Sequence, residues 1–240
     1  MREGPTQHKS PKPFKRPPRK YQPRGLPILY EDVDILVVNK ASGLVTISND
    51  SARERTAYFL LTDYVRKGNA KSQKRVFIVH RLDRDTSGVL VLAKHEAAKR
   101  YLQDNWSDFK KTYCAVVHGR PPEREGVIRS YLAESETYRV YSVSDPQGGK
   151  LAKTAYRMVR QTPSHALLEI NLLTGRKNQI RVHLADKGCP VVGDAKYGRK
   201  EPGIRRLALH AMSMTINHPH TKQPMTFDAP VPAYMKTLIK

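Results

Sequence analysis

The sequence predicts an α+β fold with a mixed, mainly antiparallel central sheet flanked by helices and loops. Short runs rich in β-branched residues outnumber the helical segments, the helices are scattered among them, and no internal repeat occurs in the 240 residues. Taken in order, ILY (28–30) and ILVVN (35–39) read as strands around the acidic turn 31–34, and residues 40–43 turn the chain again. Residues 56–67 place Tyr58, Leu61 and Val65 at helical spacing and stop near Gly68. A polar loop, 68–74, leads to two apolar runs, VFIV (76–79) and VLVLA (89–93), which read as a pair of strands. Residues 96–109 predict a second helix with Ala97, Tyr101, Leu102 and Trp106 inward. Strands are expected at 111–118, 127–132, 138–144, 154–161 and 166–173. A short helix at 178–187, closed by Gly188, strands at 207–216 and 225–227, and a terminal helix at 233–238 complete the chain.

Two regions are expected. Residues 1–25 hold eight Lys and Arg against Glu3, with six prolines and little apolar material, so they read as a disordered basic tail. Its function is either an electrostatic tether to phosphates or a solubilising leader. Residues 26–240 form one folded domain. A net charge of +21 exceeds what solubility requires and points to a polyanionic partner. No run of 18 apolar residues and no apolar leader occur, which argues against a membrane span or a secretory signal. Cys114 and Cys189 form no CxxC motif and read as reduced, packed thiols in a cytoplasmic protein. Nucleic acid is therefore the expected partner, in preference to an anionic membrane.

The most informative stretch is HRLDRDTSGVLVLAK, residues 80–94. Asp83 and Asp85, with Arg81 and Arg84, sit on a loop braced by two buried strands, the usual setting for chemistry on a rigid scaffold. Neighbouring guanidinium groups favour an ionised Asp83, suited to act as nucleophile or general base. A surface salt bridge is the alternative reading from composition alone. Tyr113, on the strand KTYCAVV, reads first as a core residue. In TGRKNQIRVHL (174–184), the expected helix carries Arg176 and Lys177 in its first turn, with Lys177 and Arg181 on one face. That arrangement suits a phosphate, or else is a solvated basic face. Gly148-Gly149-Lys150 lacks the spacing of a nucleotide phosphate loop, and Ser87 sits in no nucleophile elbow. His218 and His220 have no companions at metal spacing, and the two arginines compete with any ion at Asp83 and Asp85. No metal and no cofactor are expected.

From about residue 26 to the C-terminus, the chain resembles the RluA-type pseudouridine synthases. ILYEDVDILVVNKASGL is similar to that family's opening motif, HRLDRDTSGVLVLAK to its catalytic motif and KTYCAVVHG to its K-x-Y strand. TGRKNQIRVHLADKGCPVVGDAKYG and RLALHAMSMTINHPHTKQPMTF follow in the family's order. The resemblance implies an isomerase that converts uridines of ribosomal or transfer RNA to pseudouridine without a cofactor. Asp83 would be the catalytic aspartate, Tyr113 would stack on the uracil and help move a proton, and Arg181 would orient Asp83. Arg81 would fill the gap left by the flipped nucleotide, and Lys40, Arg176 and Lys177 would contact RNA. The protein would act as a monomer without an obligate protein partner. Ala41 stands where the family usually has proline, and Asn178 where histidine is common. The small RNA-binding module of some relatives has no counterpart ahead of residue 26, where the basic tail stands. A non-catalytic RNA-binding factor, and a hydrolase or metal-dependent transferase built on Asp83 and Asp85, are the competing readings.

Overall fold

The computed structural model describes residues 14–48, 53–69, 71–199, 201–204 and 206–240. Residues 1–13 of the expected tail lie outside them. The remainder of that tail is held to the fold at a few points, though most of it is exposed. Phe14 sets its ring 5.3 Å from that of Tyr30, Gln22 reaches the carbonyl of Pro17, and its side-chain oxygen accepts from the amide of Ile28 at 2.7 Å. The ordered chain therefore starts before residue 25, because one aromatic ring and one amide side chain anchor the proline-rich segment to the first strand.

The described residues form eleven strands in one sheet. These are β1 (Ile28–Glu31), β2 (Ile35–Lys40), β3 (Phe77–Ile78), β4 (Ser87–Ala93), β5 (Lys110–His118), β6 (Glu125–Glu134), β7 (Val140–Val143), β8 (Lys150–Gln161), β9 (His165–Leu172), β10 (Leu209–Asn217) and β11 (Pro224–Asp228). The main order is β1-β2-β4-β10-β5-β9-β8-β6-β7, with β3 paired to β4 and β11 to β10. Every pairing is antiparallel except that of β10 with β4. The helices are α1 (Ala57–Arg66), α2 (Glu96–Asp104), α3 (Gln179–Asp186) and α4 (Ala233–Thr237).

The unbroken apolar runs in β2 and β4 follow from burial on both faces. Leu36, Val38, Leu90 and Leu92 pack with Leu61 and Val65 of α1. Ile35, Val37, Val89 and Val91 face the other way, onto Ala98 and Leu102 of α2 and onto Phe227. α1 starts where Thr56 accepts a hydrogen bond from the Phe59 amide, and ends at Lys67, whose φ of 53° is left-handed. The second helix is shorter than its pattern suggests. It ends at Asp104, Ala98 rather than Ala97 is buried, and Trp106 lies in the turn beyond it.

The parallel contact between β4 and β10 depends on Gly88. Its φ is +116°, and a β-carbon there would lie 2.2 Å from the carbonyl oxygen of Ala211. Beside it, Ser87 Oγ and His210 Nδ1 lie 2.8 Å apart, which ties the same two strands by side chains. Gly88→Ala should cost about 3 kcal/mol or more, combining a left-handed backbone with a backbone clash. Urea unfolding of the variant checks this; a loss below 1 kcal/mol would mean that the two strands separate easily.

Candidate active site

The 80–86 loop between β3 and β4 is fastened from below by the turn after β2. Lys40 is fully buried, and its ammonium group donates to the carbonyls of Ala41, Leu44 and Arg84 at 2.8 to 3.0 Å. Burial pushes that amine down to about 8, against the opposing pull of Asp85 and Asp83. Lys40, expected to contact RNA, has all three of its donors committed to backbone and is inaccessible; it braces the loop instead. Three more bonds close the seam. Ser42 donates to the Asp85 carbonyl at 2.8 Å, Thr46 to that of Leu82 at 2.8 Å, and the Gly43 amide to that of Arg84 at 2.9 Å. Ala41 donates its own amide to Gly25 at 2.8 Å, a bond that a proline at this position could not make.

This bracing presents Asp83 half-buried over a cleft of about 120 Å³. Ligand sites for drug-sized molecules are roughly 300–1,000 Å³, so this one suits a single ring. Asp83 does not pair with its sequence neighbours. Arg84 lies exposed, with Nε and Nη2 at 3.1 and 3.2 Å from the carboxylate of Asp85. The charge facing Asp83 is Arg181, whose Nη1 lies 3.5 Å from Oδ2. Arg81 is exposed at the rim, and Tyr113 is buried in the wall. Burial, and then the charge of Asp83, raise the Tyr113 phenol well above its ordinary value. Its hydroxyl is therefore held protonated, with no hydrogen-bond partner among the described residues.

Arg181 is 9% exposed and held on three sides. Its Nε and Nη2 donate to Asp194 at 2.7 and 2.8 Å, and Nη1 donates to Asn178 Oδ1 at 3.2 Å. The Tyr197 ring lies 5.2 Å from the guanidinium carbon. Asn178 also donates to the Tyr197 hydroxyl at 3.0 Å, so the asparagine found where histidine is common takes part in this cage. Burial by itself would raise the Asp194 carboxyl; the Arg181 hydrogen bonds and charge, with the Tyr197 and Lys196 amides, hold it below the usual range. Asp194 escaped the sequence analysis. The available signals were an arginine that needed a counterion once buried, and Gly193 directly before the acid. Gly193 has φ +75° and no room for a β-carbon, which would meet the Arg206 carbonyl at 2.1 Å.

Two further expectations are corrected. α3 begins at Gln179, so Arg176 and Lys177 precede it, and Lys177 shares no helix face with Arg181. Gln179, 2% exposed, shapes that approach by accepting from the Arg176 amide at 3.0 Å and the Thr174 hydroxyl at 2.8 Å. Arg176 lines the cleft, whereas Lys177 lies outside it and pairs with Glu134. The cleft is also lined by His80 and Trp106, which stack with centroids 4.5 Å apart, His80 Nε2 accepting from the Val91 amide. Burial, aided by the charge of Lys111, pushes this histidine down to about 3, so it stands neutral with its proton on Nδ1. Among the described residues, one group has metal-ligand geometry, Asp32, Asp34 and His218. Asp32 there already accepts from Tyr30, His218 and two backbone amides. The group lies at the end of β2 away from Lys40.

The family model described as RNA pseudouridylate synthase matches residues 34–186. An uncharacterized RNA pseudouridine synthase of Bacillus subtilis is 36% identical over 219 residues, covering 90% of this chain and 72% of that protein. Ribosomal large subunit pseudouridine synthase D of Nitrosomonas europaea is 35% identical, with 90% and 64% covered. Synthase C of Vibrio vulnificus is 31% identical, with 89% and 68% covered. The solved human RNA pseudouridylate synthase domain containing 4 has a TM-score of 0.73 at 24% identity, covering 87% of this chain and 90% of that one.

His183, two residues after Arg181 and fully buried, bonds through its two nitrogens with Thr154 and Ser130 at 2.8 and 3.0 Å. Burial, opposed by Asp186, pushes it down to about 4. Between pH 6.5 and 4 the unfolded chain then binds a proton that the folded one does not, so stability falls as pH falls. In urea titrations, His183→Asn should flatten this dependence by up to about 1.4 kcal/mol per pH unit. An unchanged slope would mean that the imidazole titrates alike in both states.

Proposed function

The chain belongs to the RluA-type RNA pseudouridylate synthase family and is an RNA-modifying isomerase, and from that premise we propose that Asp83 carries the reaction. The observation behind this assignment is one contact: a half-buried carboxylate 3.5 Å from a buried guanidinium, over a cleft the size of one ring. Uridine in a helix cannot bring its sugar to a carboxylate, so the nucleotide must leave the stack, at a cost of a few kcal/mol. Arg81 is exposed at the rim, where it can occupy the vacated space and offset part of that cost.

Once the nucleotide is in the cleft, Asp83 attacks and the bond between N1 and the sugar breaks. The uracil turns, C5 joins the same sugar carbon as the Asp83 carboxylate leaves it, C5 loses its proton, and N1 ends protonated. Atoms and charge balance without a cofactor. Arg181 orients Asp83, and because Asp194 shares its charge it need not give up a proton. Tyr113 offers its ring for stacking and its protonated hydroxyl as a hydrogen-bonding relay for the C5 proton. A standing phenolate base is not available there. Arg176 at the cleft edge suits the phosphate of the flipped nucleotide. Ribosomal RNA is the first substrate to test, because two relatives are named for the large ribosomal subunit; transfer RNA is the second. We propose a cytoplasmic protein that acts as a monomer.

Asp83→Asn should abolish pseudouridine formation while RNA affinity stays within about two-fold, since the change removes a negative charge and no phosphate contact. Carbodiimide mapping of total RNA, from cells lacking the gene and complemented with either form, measures this. A site restored equally by the variant would overturn the assignment.

A further inference from the structure

We propose that a groove beside the cleft, between β6, β7 and the approach to α3, binds the single-stranded RNA that flanks the flipped uridine. This inference rests on the reading above and adds the form of the substrate. The groove encloses about 780 Å³ and shares Gly175 and Arg176 with the cleft, so a strand leaving the cleft on that side runs directly into it.

Its chemistry fits an unpaired strand. The charged residues lining it are Lys150, Arg176, Lys177 and Glu134, and the carboxylate is already paired with Lys177. Arg176 spends its Nε on the Leu151 carbonyl at 3.1 Å, which fixes the side chain and leaves its two Nη groups without partners among the described residues. Lys150 is exposed and unpaired among them. Tyr141, 46% exposed on the edge strand β7, supplies a face on which a base can stack. Cations that are free to meet phosphate, next to an aromatic platform, are the elements of single-strand recognition, whereas a duplex keeps its base faces covered.

The groove is also preformed. A β-carbon at Gly149 would lie 2.9 Å from Val143 Cγ2 and 3.0 Å from the Leu132 backbone, so the β7–β8 turn is packed down onto β6. Its wall does not have to form on binding.

The test uses the full chain, a labelled oligouridylate as probe, and total RNA from the deletion strain as substrate. Lys150→Glu with Tyr141→Ala should weaken oligouridylate binding about ten-fold and reduce its salt slope by roughly 0.7 for the lost cation. On natural RNA it should raise KM by a similar factor and leave kcat within about two-fold. Lys74→Glu, the same charge change in the α1–β3 loop, should alter neither, and a circular dichroism melt confirms that both variants fold. If the wild type forms pseudouridine but the double variant keeps its KM and oligouridylate affinity, the groove inference fails and the function stands. Loss of affinity equal in the two variants would also overturn it, because net charge alone would then explain binding. If the wild type forms no pseudouridine and the groove variant still loses the probe, the catalytic reading fails while the groove is upheld as an RNA site.

Discussion

A guanidinium buried next to the cleft needs a permanent counterion, and the arrangement around the cleft answers to that need. Leaving one member of a buried ion pair alone costs about 3–5 kcal/mol. Asp194 meets the requirement with two bonds to Arg181, and two backbone amides fix Asp194 in turn. The left-handed turn at Gly193 and the ring of Tyr197 then have defined places. Only one nitrogen of Arg181 remains turned toward Asp83. A cation so constrained serves orientation better than a surface arginine, whose rotamers are many and whose charge is screened.

The second constraint is on the loop that carries Asp83. A polar loop between buried strands would expose carbonyls to an apolar interior, and the Lys40 ammonium collects that of Arg84 together with those of Ala41 and Leu44 from the turn after β2. Burying a cation is costly, but here each of its protons has a carbonyl, and Asp83 and Asp85 favour the charge. The sheet sets the remaining geometry. β10 runs between β4 and β5, so the strand that follows Asp83 and the strand that carries Tyr113 are separated by one strand only. The close approach at Gly88 keeps that spacing short.

Much of this was legible in the sequence. Short β-branched and apolar runs between turn residues marked the strands, a threonine followed by an apolar helical stripe marked α1, and HRLDRDTSG marked the loop with Asp83. Local signals also misled where tertiary contacts took over. The pattern 96–109 is helical throughout, yet the chain leaves the helix after Asp104, and Trp106 instead stacks on His80 and receives Lys111 at its carbonyl. Arg176 and Lys177 looked like first-turn residues, but Gln179 binds the Arg176 amide and delays the helix. Proline content suggested disorder up to residue 25, whereas Phe14 and Gln22 hold part of that stretch to β1.

The sequence by itself determined the class of fold, the order of its elements, the basic character that suits a polyanion, and the acid to examine first. Period and turn chemistry act over a few residues and can be read along the chain. Only the tertiary structure decided which charges meet. It gave Arg84 to Asp85 and Arg181 to Asp194 and Asp83, and it turned Lys40 from an expected RNA contact into a buried brace. Charges are long-range and their partners interchangeable in sequence. Which pair forms depends on burial and on distances of a few ångströms, and these exist only once the sheet has brought β2, β4 and α3 together.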